Sequence, residues 1–371
     1  MKLEAVELRR IRISLVAPFE TSFGIQSERD ILILKAITDA GEGWGECVAG
    51  DEPDYSSEYV EAAQHVLVHH LLPPLFARPS LAAADVAAVL QRFHGHRMAK
   101  ASIEMAVLDA ELRSRGESFA HRFGAVRSAV DCGVSVGIHR SIPDLLVTVG
   151  GYLDQGYRRV KLKIKPGWDV EPVRAVRERF GDVLLQVDAN TAYTLADAGH
   201  LAQLDAFNLL LIEQPLPEDQ VLAHAELAKV IRTPVCLDES ITSEQAAADA
   251  IQLGACSIIN IKPGRVGGYL EARRIHDLCA KHDVPVWMGG MLETGLGRAG
   301  NVAMAAMPNF TLPGDTSASD RYYHRDITEP FVLIDGRLNV PDGPGLGVSV
   351  DVAYLESITT TSQVVRSGPA D

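Results

Sequence analysis

Five charged residues set the terms of the chemistry. Lys163, Asp188, Glu213, Asp238 and Lys262 stand 25, 25, 25 and 24 residues apart. Each ends a short, largely apolar run: VKLK, LLQVD, LLLIE, PVCLD and IINIK. Three carboxylates brought together repel and raise one another's pKa unless a cation joins them. An all-oxygen donor set suits a hard divalent ion such as Mg²⁺, with Mn²⁺ or Co²⁺ as substitutes. Two lysines beside such an ion suggest amine bases acting on a carbon acid. A cation on a substrate carboxylate stabilises the charge left when the α-proton departs. The amine that takes this proton must be neutral near pH 7, so its site has to depress it from about 10.4. Two amines on opposite faces permit racemisation. One amine that also serves as general acid permits elimination.

Such a constellation needs elements that repeat at the same interval. Apolar runs of this length read as buried strands. A strand, a helix and two loops fill a βα unit of roughly 25–30 residues. The charges therefore fall at the C-terminal ends of successive parallel strands, the rim where βα barrels hold their active sites. CGVSVGI, from Cys132, reads as the first barrel strand; PVWMGG, from Pro285, as the seventh; NFTLPGD, from Asn309, as the eighth. The expected fold is α/β, a (β/α)7β barrel. Lys161, Lys163 and Lys165 share strand parity and should point to one face. Asn190 shares the side of Asp188.

Ahead of the barrel, residues 2–17 and ILILKAIT read as strands, with 18–28 as a loop between them. A further strand follows the turn in DAGEGWGECVA, giving an antiparallel meander. Between Ser56 and Gly124 the pattern is helical, with Ile103, Ala106, Val107 and Ala110 near a 3.6-residue period. We expect an α+β capping domain over residues 1–125, a barrel over 126–318, and a tail over 319–371 that returns to the cap.

The net charge of −14 argues against a nucleic-acid partner. No apolar run approaches the ~20 residues of a membrane span, and the first residues do not read as a signal peptide. The five cysteines form no CxxC pair and read as buried free thiols in a cytoplasmic protein.

The motifs KLKIKPGWD, LLQVDANTAY, LLIEQPL, CLDES, NIKPGRVGG, GGMLETGLGR, GEGWGEC and GDTSASDRYY span nearly the whole chain. In them the sequence resembles the enolase superfamily, in its muconate-lactonising subgroup. Within that subgroup it is similar to the N-acylamino acid racemase/o-succinylbenzoate synthase family. Lysine bases working beside Mg²⁺ are a known pattern of that superfamily.

The resemblance implies Asp188, Glu213 and Asp238 as Mg²⁺ ligands and Lys163 and Lys262 as the opposed acid/bases. It implies Lys161 and Asn190 at the substrate carboxylate. Ser135, Gly290, Met291 and Leu292 would line the pocket, and Phe19 and Phe23 would bring an apolar wall from the cap. Tyr322 stands where relatives often have Phe. Glu239, Arg265 and Glu293 are expected to support these groups from behind. Arg265, three residues beyond Lys262, should depress the pKa of Lys262 if it lies close. Gly50, in AGDEPDY, replaces a bulky Met common in relatives and leaves the side-chain preference open. A homo-oligomer acting on a small-molecule carboxylate is implied.

The leading expectation is racemisation of N-acylamino acids, with o-succinylbenzoate synthesis in the same site or as the main role. Muconate cycloisomerisation and dipeptide epimerisation follow. The epimerase reading is weakened because that group's D-x-D pattern is Asp315-Thr316-Ser317 here. An inactive structural barrel would have lost one of the five rim charges. Apolar N-acyl amino acids should outperform free ones, unless Asp51, Glu52 and Asp54 point inward.

Overall fold

The computed structural model describes residues 1–368. Its strands are β1 (Leu3–Glu20), β2 (Ile25–Thr38), β3 (Gly41–Cys47), β4 (Ala129–Asp131), β5 (Gly133–Val136), β6 (Arg159–Lys163) and β7 (Leu184–Asp188). They continue with β8 (Ile212–Glu213), β9 (Val235–Leu237), β10 (Ile258–Ile261), β11 (Val286–Met288), β12 (Arg337–Asn339) and β13 (Thr359–Arg366). β5 to β11 form one parallel sheet in sequence order, the arrangement that right-handed βα crossovers build. β1, β2 and β3 form the antiparallel meander, and β13 returns from the tail to pair antiparallel with β1. β12 pairs with β4.

Two local readings change. NFTLPGD is not a regular strand. Phe310 bridges Val286 and Gly314 bridges Cys132, so this segment closes the barrel through isolated contacts with both edge strands. Pro313, which cannot donate to a ladder, interrupts any regular pairing there. Residues 18–28 are also mostly strand. β1 runs on to Glu20, and Phe19 pairs with Gln26 after an irregularity between Ser14 and Phe19. Pro18 and this bulge hide the alternation that would have revealed the hairpin.

The cap packs on the barrel through buried carboxylates. Within the cap, a Cβ on Gly45 would lie 2.1 Å from Ser102 O, so glycine there lets β3 rest directly on the helix Arg97–Arg115. Glu46, on β3, accepts from the amides of Thr294 and Gly297, each at 3.0 Å, at the start of the helix Gly295–Ala305. Glu104 accepts from Leu270 N at 3.1 Å, at the start of the helix Tyr269–Lys281. Negative charge is favoured at helix N-termini, yet burial pushes both carboxyls up to about 7 from 4.5.

The folded state therefore keeps protons here that the unfolded chain releases. Stability from this source is present at low pH and lost as pH rises toward 7. Glu104→Gln keeps an acceptor for Leu270 N and removes the titration. We expect urea melts of that variant to lose less stability than wild type between about pH 5 and pH 7. An unchanged slope would remove Glu104 as its source.

Candidate active site

Strand register brings the rim charges together. Lys163 pairs in register with Asp188, Asp188 with Glu213, and Glu213 with Cys236, two residues before Asp238. All therefore point to the barrel interior. Lys262 follows β10, four strands from Lys163 on β6 in the seven-strand order. A Cβ at Gly289 would lie 2.7 Å from Lys262 Cγ, so glycine clears the path of this side chain. Asn190 and Leu292 hold φ of 41° and 56°, in the sparsely populated left-handed region where strained functional loops are found.

The charges form one buried network. Lys163 Nζ donates to Asp188 Oδ2 at 2.7 Å and to Asn190 Oδ1 at 2.6 Å. Asn190 Nδ2 in turn donates to Glu239 Oε1 at 2.9 Å. Lys262 Nζ donates to Asp238 Oδ2 at 2.8 Å and to the Tyr55 hydroxyl at 3.1 Å. Lys161 Nζ stands 3.2 Å from Asp188, 3.1 Å from Glu213 and 2.6 Å from Asp315. Asn260 Nδ2 supports Glu213 at 2.7 Å. Beneath them the ring of Trp287 carries Lys161 4.9 Å and Arg159 5.1 Å from its centroid.

Electrostatics separate the carboxylates. Burial alone would raise Asp188, but Lys163 and Lys161 outweigh it and hold the group below the usual range. Asp238 is likewise lowered, against burial, by Lys262 and Arg265. Glu213 is pushed up to about 8 by burial and by Asp188. Glu239 also rises to about 8, by burial and by Asp238. Burial works to lower Lys262 and Lys161, yet the carboxylates around each keep both well above the ordinary lysine value.

A cavity of about 510 Å³ opens above this network. Lys161, Lys163, Lys262, Asn190 and Ser135 line its floor, and Gly290, Met291, Leu292 and Tyr322 its side. Phe19 and Phe23 line it from the cap. Each residue expected at the pocket thus lines one space. Glu239, Arg265 and Glu293 stand outside the lining. Glu293 accepts from Met291 N at 2.9 Å and fixes the turn after β11.

Residues 5–124 match the mandelate racemase/muconate lactonizing enzyme N-terminal domain, and residues 145–354 match the enolase C-terminal domain-like family. The chain belongs to the enolase superfamily. It is 68% identical to an N-succinylamino acid racemase from Amycolatopsis sp., over 99% of this chain and 100% of that protein. It is 47% identical to an o-succinylbenzoate synthase from Geobacillus kaustophilus, over 97% of this chain and 96% of that protein. The crystal structure of an enolase-superfamily member from Listeria innocua matches with a TM-score of 0.95 at 39% identity, covering 99% of this chain and 100% of that one. Like these relatives, the chain is an enzyme.

Several placements within this superfamily member differ from expectation. Arg265 Nη2 lies 2.9 Å from Asp238 Oδ1, and its guanidinium also donates to the Ile241 carbonyl. It is anchored on Asp238, the carboxylate partner of Lys262, rather than standing free beside the amine. Lys165 lies beyond the end of β6 and reaches Glu20 of the cap hairpin at 3.0 Å.

Three groups escaped sequence reasoning. Tyr55 reaches from the cap to Asp238 at 3.2 Å. Asp315 pairs with Arg159 at 2.8 Å and with Lys161. Arg159 shared the strand parity of Lys161 and Lys163, the one signal that could have found it. Asp315 is already paired with two cations, which leaves it poorly placed to take a substrate ammonium.

The cap hairpin is tied to the barrel rim by that Lys165–Glu20 pair, by Ser22 Oγ donating to Asn190 O at 3.1 Å, and by Ile138 N donating to Glu20 O at 2.9 Å. Half-exposed ion pairs contribute at most about 1 kcal/mol. Glu20→Gln is therefore expected to raise KM by no more than about fivefold, with kcat little changed. A loss confined to kcat would contradict a closing role.

Proposed function

We propose that this chain racemises N-acylated amino acids by proton transfer α to a carboxylate, with a divalent metal ion. The observation that supports it most is the opposition of Lys163 and Lys262 across one cavity, each held by its own carboxylate.

The residues present fit a hard cation. The set is three buried carboxylates, Asp188, Glu213 and Asp238, and oxygen donors suit Mg²⁺. Asp238 Oδ1 is buried and accepts no aligned hydrogen bond despite its nearness to Arg265. Lys161 Nζ stands between Asp188 and Glu213, at 3.2 and 3.1 Å. A divalent ion held by these carboxylates would compete with the lysines for them, offsetting the negative charge that keeps Lys262 protonated, and would stabilise the charge that develops on a substrate carboxylate.

The chain's own groups do the rest. Lys161 offers a cation to the substrate carboxylate from the barrel floor. Asn190 positions Lys163 through its Oδ1 and is itself held by Glu239. Tyr55 and Asp238 position Lys262. One lysine takes the α-proton and the other returns a proton to the opposite face. Phe19 and the hairpin exclude water, which strengthens each of these interactions.

The same α-proton removal begins an o-succinylbenzoate synthase reaction, and the identity to the Geobacillus kaustophilus enzyme keeps that as a second reading. Incubation with Mg²⁺ and N-succinyl-L-methionine in heavy water tests the first. The expected result is D-enantiomer carrying α-deuterium. Turnover of the synthase substrate alone, with no change at the α-carbon of the amino acid, would favour the second.

A further inference from the structure

One cation of the cavity lacks an anion of its own. Arg29, on β2, lines the space. It is 3% exposed, and no carboxylate oxygen of the described residues comes within 4.0 Å of it. Its Nε is buried and makes no hydrogen bond. Nη2 donates to Val48 O at 3.4 Å, longer than the usual range. A buried guanidinium without a counter-charge is costly. Other buried arginines are better served. Arg159 and Arg265 stand 2.8 and 2.9 Å from Asp315 and Asp238. Arg321 donates to Ser135 O at 2.7 Å, and Arg298 donates to Glu293 O at 2.8 Å.

The carboxylates of the cap are turned to other work. Glu58 accepts from Met98 N at 2.9 Å, and Glu46 from Thr294 N at 3.0 Å. Asp51 Oδ1 accepts from Asp30 N at 3.1 Å, and Asp54 Oδ1 from Tyr55 N at 2.8 Å. With Glu52 these two line the exposed rim, where solvent screens them. Arg29 lies deeper. A Cβ on Gly264 would lie 2.4 Å from Val48 Cγ2, so the residue that anchors Arg29 packs on the segment just after Lys262. The ring of Phe19 stands instead 6.0 Å from Lys163. The cavity thus has a cationic wall near one lysine and an apolar wall near the other.

We propose that Arg29 determines acyl specificity, by holding the far carboxylate of an N-acyl group that ends in one. This rests on the racemase reading above and assigns a residue to the acyl arm in that same site. The α-carboxylate belongs at the lysine-rich floor, and the amino-acid side chain has the apolar wall. The remaining arm of the α-carbon is the acyl group, and Arg29 is the cation left to meet it. A forked guanidinium suits a carboxylate, which can accept two of its donors at once. Such a ligand also supplies the counter-charge that the chain does not.

The test compares kcat/KM for N-succinyl-L-methionine and its terminal amide, N-succinamoyl-L-methionine, which match in shape and differ in charge. Hydrogen bonds to charged groups are worth roughly 10–100-fold, so the acid is expected to lead by that factor. The difference should fall in KM, because the acyl carboxylate is held alike before and during proton transfer. Arg29→Met is expected to bring the ratio of the two compounds to about one. A merely structural role would lower both compounds alike and leave the ratio where it was. Arg29→Lys keeps the charge without the fork, so its ratio should lie between the two. That variant also carries the test if the methionine variant does not fold.

Equal kcat/KM for acid and amide in the unaltered enzyme would overturn the proposal and leave the racemase reading standing. So would either variant that keeps the full preference. Absence of α-deuterium from both compounds in heavy water would overturn the proposal together with the reading beneath it.

Discussion

Lys163→Arg is expected to abolish racemisation while leaving α-proton exchange intact for one enantiomer. The guanidinium keeps the positive charge beside Asp188 but is not deprotonated in proteins, so it cannot act as a base. Lys262, paired with Asp238 and Tyr55, still takes the proton that faces it. In heavy water the enantiomer on that face should acquire deuterium with retention. Lys262→Arg should show the opposite preference. A loss on the order of 10³-fold or more in racemisation is expected from either, because a general acid/base contributes typically 10²–10⁴-fold. If both variants lose exchange with both enantiomers while still binding substrate, a single-base elimination becomes the better account.

Glu213→Gln is expected to weaken metal binding by 100-fold or more, since changes even behind a metal ligand typically cost about 10–100-fold. The amide also remains a possible partner for Lys161 and Asn260, so the site need not collapse. Stability without added metal should move the other way. Glu213 is raised from 4.5 to about 8, so stability from its proton is held at low pH and lost as pH climbs toward 8. Gln removes that loss. The expected pair of results is weaker Mg²⁺ binding by calorimetry and an unfolding temperature in chelator at pH 8 no lower than wild type. Unchanged metal affinity would remove Glu213 from the ligand set.

The rim charges were legible because each ends a buried strand one βα unit after the last, so a linear interval became a ring of neighbours. Lys163, Asp188 and Glu213 sit in direct register for that reason. Tyr55 was not legible. It lies in a cap loop, and only packing between cap and barrel brings it to Asp238. Asp315 lies in the irregular closing segment, which has no strand period to announce its direction. Its partner Arg159 lies one layer below Lys161, where a buried arginine makes sense only once Asp315 is known to face it. Lys165 shared strand parity with Lys163, but β6 ends first, and parity carries no information past the last pleat. The placement of Arg265 on Asp238 was not legible either, because three residues of sequence separation say nothing about which of Lys262 and Asp238 the guanidinium meets.

Two lysines that work on opposite faces of one α-carbon leave an isotopic signature in the product. The most direct test is the isotope content of the first product formed by the unaltered enzyme in heavy water with a protiated N-acyl-L-amino acid. If Lys163 and Lys262 act on opposite faces, the proton delivered to the product comes from a lysine already exchanged with solvent. The D-product should then be fully deuterated at the α-carbon from the earliest time measured. A D-product that keeps the substrate's own proton at early times would mean that one base carries it from face to face, and would contradict the account.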